Sequence, residues 1–250
     1  VPKLLKIDGK DLYYRDLNAK IKEAVREGHK EITVNNVNGQ RYLGTGISAD
    51  VALTLEGTPG NDLAFALDGP KITVKGNAQD GVGNTMNKGE VIIEGSAGDV
   101  AGYAMRGGEI FIRGDVGYRV GIHMKAYQEM VPAIVVGGCA GDFLGEYMAG
   151  GVIIILGLNC GRGQDLVGSN CAGGMHGGVI YLRGEVEPYK LGREVEIKEI
   201  EESDYELIQS YISRFAAYFD LDQAAIRQSE FTKIVSKSKR PYGNLYVSNL

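Results

Sequence analysis

Apolar and polar residues alternate in short bursts along the middle of this chain, and each burst ends on a glycine. The inner pairs read Leu53/Leu55, Ile72/Val74, Val91/Ile93, Ile110/Ile112, Ile134/Val136, Ile153/Ile155 and Ile180/Leu182, a period of two that predicts β-strands. Gly57, Gly76, Gly95 and Gly114 close the first four bursts 19 residues apart, and Gly138, Gly157 and Gly184 close the others. A small or branched residue follows (Pro59, Ala78, Ala97, Val116, Ala140), then a pair such as Val82-Gly83, Val120-Gly121 or Leu144-Gly145. Three residues beyond stands Met86, Met105, Met124, Met148 or Met175, with Leu67 in that place in the faintest copy.

Residues 71–89, 90–108 and 109–127 are three copies without insertion or deletion, and 52–70 is a fainter one. Two more follow, 133–151 after an insertion at 128–132 and 152–178 with an insertion near 158–165, before a further strand opens at Val179. One strand and two glycine corners cannot bury their own apolar side, so each unit must stack on its neighbours. At about 4.8 Å per turn, about seven turns make a rod of roughly 30 Å. Outward residues Glu56, Lys75, Glu94 and Arg113 alternate in sign, as stacked neighbours should. Parallel crossovers favour the right hand. The expected fold is therefore mainly β: a right-handed parallel β-helix with a 19-residue repeat, a small N-terminal α/β cap and a C-terminal helix.

The flanks supply those caps, giving segments 1–51, 52–184 and 185–250 within a single domain. From Asp16 to Glu27 the residues Leu17, Ile21, Ala24 and Val25 form one helical stripe, and Gly28 is a natural stop. Ile32, Val34 and Val37 suggest a short strand. After the repeats, 185–202 is highly charged and reads as extended or partly disordered. Ser203-Asp204-Tyr205-Glu206 has capping-box spacing, and Leu207, Ile208, Tyr211, Ile212, Phe215 and Phe219 form an amphipathic stripe. That helix needs a surface. The central outward row Thr54, Thr73, Ile92, Phe111, Val135, Ile154 and Tyr181 becomes apolar toward its C-terminal end and needs a cover, either this helix or a partner.

Composition narrows the function. At 250 residues and 44% hydrophobic content the chain can build one large core. A net charge of −5, without basic runs carrying interleaved aromatics, argues against nucleic acid. No apolar run has membrane-spanning length, and the stretch beginning at Val1 carries no signal-peptide core. Cys139, Cys160 and Cys171 form no CxxC pair and suggest no disulfide framework, which suits a reducing compartment, so a cytoplasmic location is expected.

The chemistry sought is mostly missing. No G-x-x-x-x-G-K-[ST] loop occurs, and Gly81-Val82-Gly83 and Gly161-Arg162-Gly163 read better as coil corners or loop than as phosphate cradles. His29, His123 and His176 are too scattered for a helix-borne metal pair and read as turn histidines. Cys171 occupies a core slot, whereas Cys160 lies in the second insertion and is more open. Asp80, Asp99 and Asp142 recur at one repeat position, where a turn-forming role outweighs cation binding. The expected catalytic, cofactor-binding and metal-binding residues are therefore none.

Segments 98–108 (Gly-Asp-Val-Ala-Gly-Tyr-Ala-Met-Arg-Gly-Gly) and 174–184 (Gly-Met-His-Gly-Gly-Val-Ile-Tyr-Leu-Arg-Gly) resemble the Gly-X-Gly-X-Gly domain that closes the large subunit of glutamate synthase. Asn36 to Gly46 is similar to that family's opening segment, and Arg240-Pro241-Tyr242-Gly243 resembles the tail of its stand-alone prokaryotic forms. The resemblance implies an architectural β-helix in an oxidoreductase of glutamate biosynthesis and nitrogen metabolism, with no catalytic residue carried over. FMN and the iron-sulfur cluster are then expected in partner subunits, and the partners are the amidotransferase and FMN-binding synthase subunits or domains. A homo-oligomer stays open. The alternatives are the similar repeats of the C subunit of formylmethanofuran dehydrogenase and an independent β-helix carbohydrate-active enzyme. Insertions 128–132 and 158–165 are the expected docking surfaces.

Overall fold

A computed structural model describes residues 4–161, 163–227 and 229–239; the tail motif 240–243 lies outside the described residues. Its centre is a β-solenoid. Strands β1 (Leu4–Asp8), β2 (Glu31–Asn38), β3 (Ala52–Thr58), β4 (Asp68–Lys75), β5 (Lys88–Ile93), β6 (Glu109–Ile112), β7 (Ala133–Val136), β8 (Ala149–Ile155) and β9 (Gly177–Arg183) pair in sequence order, all parallel. The register is the one the alternation dictates. Ile72, Val91, Ile110, Ile134, Ile153 and Ile180 lie directly over one another and are fully buried.

A second face is made by single bridged residues, Ala78, Ala97, Val116, Ala140 and Val167. The third face carries Val82, Val120 and Leu144 and the methionine row, all turned inward and shut off from solvent. Its backbone repeats overlapping turns in which alternate residues are left-handed, for example Arg119 (φ 55°), Gly121 (φ 71°) and His123 (φ 55°). Glycine is required at the middle of these three. A Cβ at Gly102 would lie 2.4 Å from Ile134 Cδ1, and one at Gly121 would lie 2.5 Å from Ile153 Cδ1, each isoleucine belonging to the strand two coils later. The Val-Gly pair thus lets one coil's turn nestle under the core residue of another.

The N-terminal segment begins one coil earlier than its composition suggests. Helix α1 (Tyr14–Arg26) crosses from β1 to β2 and buries Leu17, Ile21 and Ala24 against the column's end, stopping at Gly28 (φ 85°). Strand β2 then stacks on β3, and Leu43 and Ile47 fill the third face beneath Leu63 and Leu67.

At the other end the charged segment is ordered. It forms a short 3-10 turn (Pro188–Lys190) and strand β10 (Val195–Lys198). Helix α2 (Glu202–Phe219) and the short α3 (Gln223–Arg227) follow, and β11 (Phe231–Ser236) inserts antiparallel between β9 and β10. The capping box falls two residues before its expected place: Glu201 is the N-cap and Asp204 answers from N3, because the extended segment ends there and Ser203 is already helical.

Helix α2 covers the outward apolar row. Ile208, Tyr211, Ile212, Phe215 and Phe219 pack on Ile92, Phe111, Val135, Ile154 and Tyr181 in a layer separate from the inner core. Polar clamps hold its two ends. Asp204 takes hydrogen bonds from Tyr181 and from Lys233 of β11 (2.6 Å). Arg214 donates to Glu109 (2.7 Å) and Glu90 (2.6 Å), two carboxylates directly opposed in neighbouring strands whose repulsion it offsets. Tyr218 also donates to Glu90 (2.9 Å).

Candidate interaction surface

The aspartates expected to form turns do so by a specific device. Asp80 accepts from the backbone N–H of Asp99 (2.9 Å), Asp99 from that of Tyr118 (2.8 Å), and Asp142 from that of Ser169 (2.7 Å). Asn77, Ser96 and Asp115 do the same one corner earlier. Each side chain satisfies a donor in the following coil, so these carboxylates tie the column together and do not converge as ligands. Among the described residues no group of three or more His, Cys, Asp or Glu is placed to hold a metal ion.

The histidines separate. His29 is buried beside Glu27 (3.6 Å). His176 faces the carbonyl of Gly174 (3.3 Å). His123 is exposed and does something the sequence did not announce: it stacks on Tyr147 (centroids 5.3 Å, planes 12° apart) and meets Tyr103 edge-on at 6.0 Å. The three rings come from successive coils on the left-handed face, and the two tyrosines are each 39% exposed. Beside them Arg119 lies over Phe143 (4.6 Å) and bonds Glu146 (2.9 Å), while Tyr118 is exposed on the same turn as Arg119. The signal was available in the residues just before Met105, Met124 and Met148, where most coils carry small or polar side chains.

Cys171 sits in the core slot expected of it, and burial pushes its thiol up to about 12. Cys160 requires a correction. It is joined to Cys139 in a disulfide with Cα atoms 5.8 Å apart, within the usual bridging range. The spacing that suggested no framework was misleading, because the insertion folds back over the corner that follows β7. That bond removes the cysteine argument for a reducing compartment. Among the described residues no helix is long and apolar enough to cross a membrane.

Both insertions lie on the outside. The first is a tight hairpin, with Tyr127 and Met130 exchanging backbone hydrogen bonds at 3.0 Å and Tyr127 and Val131 exposed. The second runs along a cavity of about 350 Å³ lined by Gln164, Asp165, Glu185, Glu187 and Lys190. Lys190 is almost wholly buried and is paired with Asp165 and Glu187 (3.6 Å). Its hydrogen bond to the Asp165 carboxylate raises its pKa, so it stays a cation.

A family model described as GXGXG motif matches residues 13–240. The chain is also 49% identical over 253 residues to "Uncharacterized protein MJ1350" of Methanocaldococcus jannaschii, with 98% of this chain and 97% of that protein covered.

Proposed function

The chain belongs to the GXGXG motif family, which includes the C-terminal domain of glutamate synthase, and on that premise we propose that it is a non-catalytic scaffold of a glutamate synthase complex. In this reading it acts in the cytoplasm and holds an amidotransferase and an FMN-bearing synthase subunit or domain in fixed relation. Ammonia released at the first then reaches 2-iminoglutarate formation at the second without escaping.

The observation that carries the reading is the solid column. The strand rows, the second-face residues and the methionines fill its interior at 0–7% exposure, leaving the interior no room for a substrate. Placing the family's cofactors in partner subunits or domains is supported by the donors this chain offers. An iron-sulfur cluster takes a set of cysteine thiolates, whereas Cys139 and Cys160 are bonded to each other and Cys171 stands alone in the core. A flavin phosphate would need a cradle of free N–H groups, but those of Gly81 and Gly83 donate to Asp99 and Leu63. Helix α2 occupies the apolar outer row, which also weighs against an open saccharide groove there.

The docking face proposed is the Tyr103–His123–Tyr147 stack with Arg119 at its edge and the 128–132 hairpin, since exposed tyrosine and arginine side chains dominate association energies. Co-purification at native abundance tests both parts. The amidotransferase and synthase polypeptides should accompany the chain, and a Tyr103→Ala/Tyr147→Ala double variant should fold normally yet lose them by at least about tenfold. Recovery with formylmethanofuran dehydrogenase subunits, or a purified chain that is yellow or turns over glutamine by itself, would overturn the proposal.

A further inference from the structure

The second insertion leaves the column after Gly157 and rejoins it at Leu166. Its backbone bonds to the column stop where Leu158 N–H donates to Gly137 (2.6 Å) and resume where the Leu166 carbonyl accepts from Ala140 (3.0 Å). Between those points, among the described residues, Gln164 N–H donates to the Gly161 carbonyl (2.9 Å) and Gly161 N–H to Gln164 Oε1 (3.1 Å), so the loop is stitched only to itself. Among the described residues two polar or covalent side-chain links fix it to the rest, the Cys139–Cys160 disulfide and the Asp165–Lys190 ion pair, and Leu158 at its start packs on the layer under α2. Asn159, Gly161, Gly163, Gln164 and Asp165 are exposed.

The two sulfurs differ in setting. Cys139 is 4% exposed and belongs to the column whether bonded or not, because its N–H donates to Asp115 Oδ1 (2.8 Å) and its carbonyl accepts from Val116 (2.9 Å). Cys160 is half-buried, and among the described residues its backbone has no hydrogen bond to the column.

We propose that the Cys139–Cys160 bond is a thiol–disulfide exchange site for a dithiol reductant, and that its reduction releases loop 158–165 from the column. A thiolate of the reductant attacks Cys160 Sγ, the sulfur of the less buried cysteine. The Cys139–Cys160 bond breaks, and its electron pair leaves on Cys139 Sγ, which takes up a proton. The reductant's second thiolate then attacks the mixed disulfide, closes an intramolecular disulfide in the reductant and leaves Cys160 as a thiol. Two electrons and two protons pass from the dithiol to the protein. The column does not change, since backbone bonds hold Cys139, but beyond Leu158 the loop keeps, among the described residues, only the Asp165–Lys190 link beside its cavity. Whatever binds this loop or the cavity then does so according to redox state, and this inference stands independently of which complex the chain serves.

Thiol titration of the denatured wild-type protein should find one reactive thiol, Cys171, before reduction and three after it. Limited digestion of the native protein by a broad-specificity protease, with fragments mapped by mass, should show cleavage between 158 and 165 rising at least about tenfold on adding dithiothreitol while cleavage elsewhere holds. Cys160→Ser should be cut at the fast rate with or without reductant. Three thiols before reduction, unchanged loop cleavage, or equal acceleration within the column strands would each overturn the proposal.

Discussion

Replacing Phe215 with alanine should detach helix α2 while leaving the column intact. The Phe215 ring is wholly buried, meets Phe219 at 4.7 Å and presses on the backbone at Gly137. Truncating such a ring costs about 3–5 kcal/mol. Where that cost falls is set by topology: the layer under α2 and the inner core are distinct clusters on opposite sides of one sheet, so the helix can open alone. At about 1.4 kcal/mol per decade, the opening constant of α2 rises between about a hundredfold and several thousandfold, up to the ceiling set by global unfolding. Hydrogen–deuterium exchange with peptide-level mass spectrometry reads this directly. Amides of 208–219 should exchange faster by that factor, and those of β8 should not change. Uncovering Phe111, Val135 and Ile154 should also raise binding of an apolar dye. Equal acceleration in β8 would refute the separation of the two layers, and no acceleration in α2 would refute its packing.

Three other substitutions or conditions probe the column and its clamps. Gly121→Ala forces a Cβ into a left-handed position and onto Ile153 Cδ1, and should lower stability in urea by about 2–5 kcal/mol, with partial rescue when Ile153→Val removes that methyl. Asp99→Ala leaves the Tyr118 N–H without its partner and should cost about 0.5–1.5 kcal/mol, whereas Asp99→Asn, which keeps an acceptor, should cost far less in the same titration. Acid should loosen α2 before the column. Burial pushes Glu90 and Asp204 upward, but hydrogen bonds from Tyr218, Lys71 and Arg214 on the first, and from Lys233, Tyr181 and the Glu201 N–H on the second, outweigh it and hold both below their ordinary 4.5 and 3.8. Their stabilisation is complete above those values and is lost as the pH falls through the depressed ones, so exchange in α2 should accelerate below about pH 4 while β8 is still protected.

What the sequence disclosed was whatever repeats. The strand register, the inward methionines and the outward apolar row follow from a strict spacing, and the amphipathic stripe of α2 could be matched to that row because both are apolar over the same span. Features that break the period were hidden. Strand β2 belongs to the stack, yet its coil is two residues longer than the next and has Ile47 where later coils have methionine. Strand β11 runs against the repeat and is separated from β9 by two helices, so only tertiary structure reveals their pairing. The disulfide joins a corner to an insertion, which spacing alone does not bring together. The Tyr103–His123–Tyr147 stack is not legible in the repeat, because these rings occupy outward positions where no packing rule dictates the residue.

The reversal at β11 closes the column of parallel coils. A stack of parallel coils offers at its last strand the same edge it offered at every step, so it is an open template on which further chain, including another molecule's, can be laid down. Turning the next strand around ends that succession, because no coil of the same sense continues from it, and β10 beyond carries an alternating Glu196 and Lys198 that form an ion pair on the rim. Extra coils added by duplication in the middle would lengthen the rod without touching this stopper or α1 at the opposite pole. The clamp of Arg214 across Glu90 and Glu109, which spans one coil boundary, is where such growth would be felt.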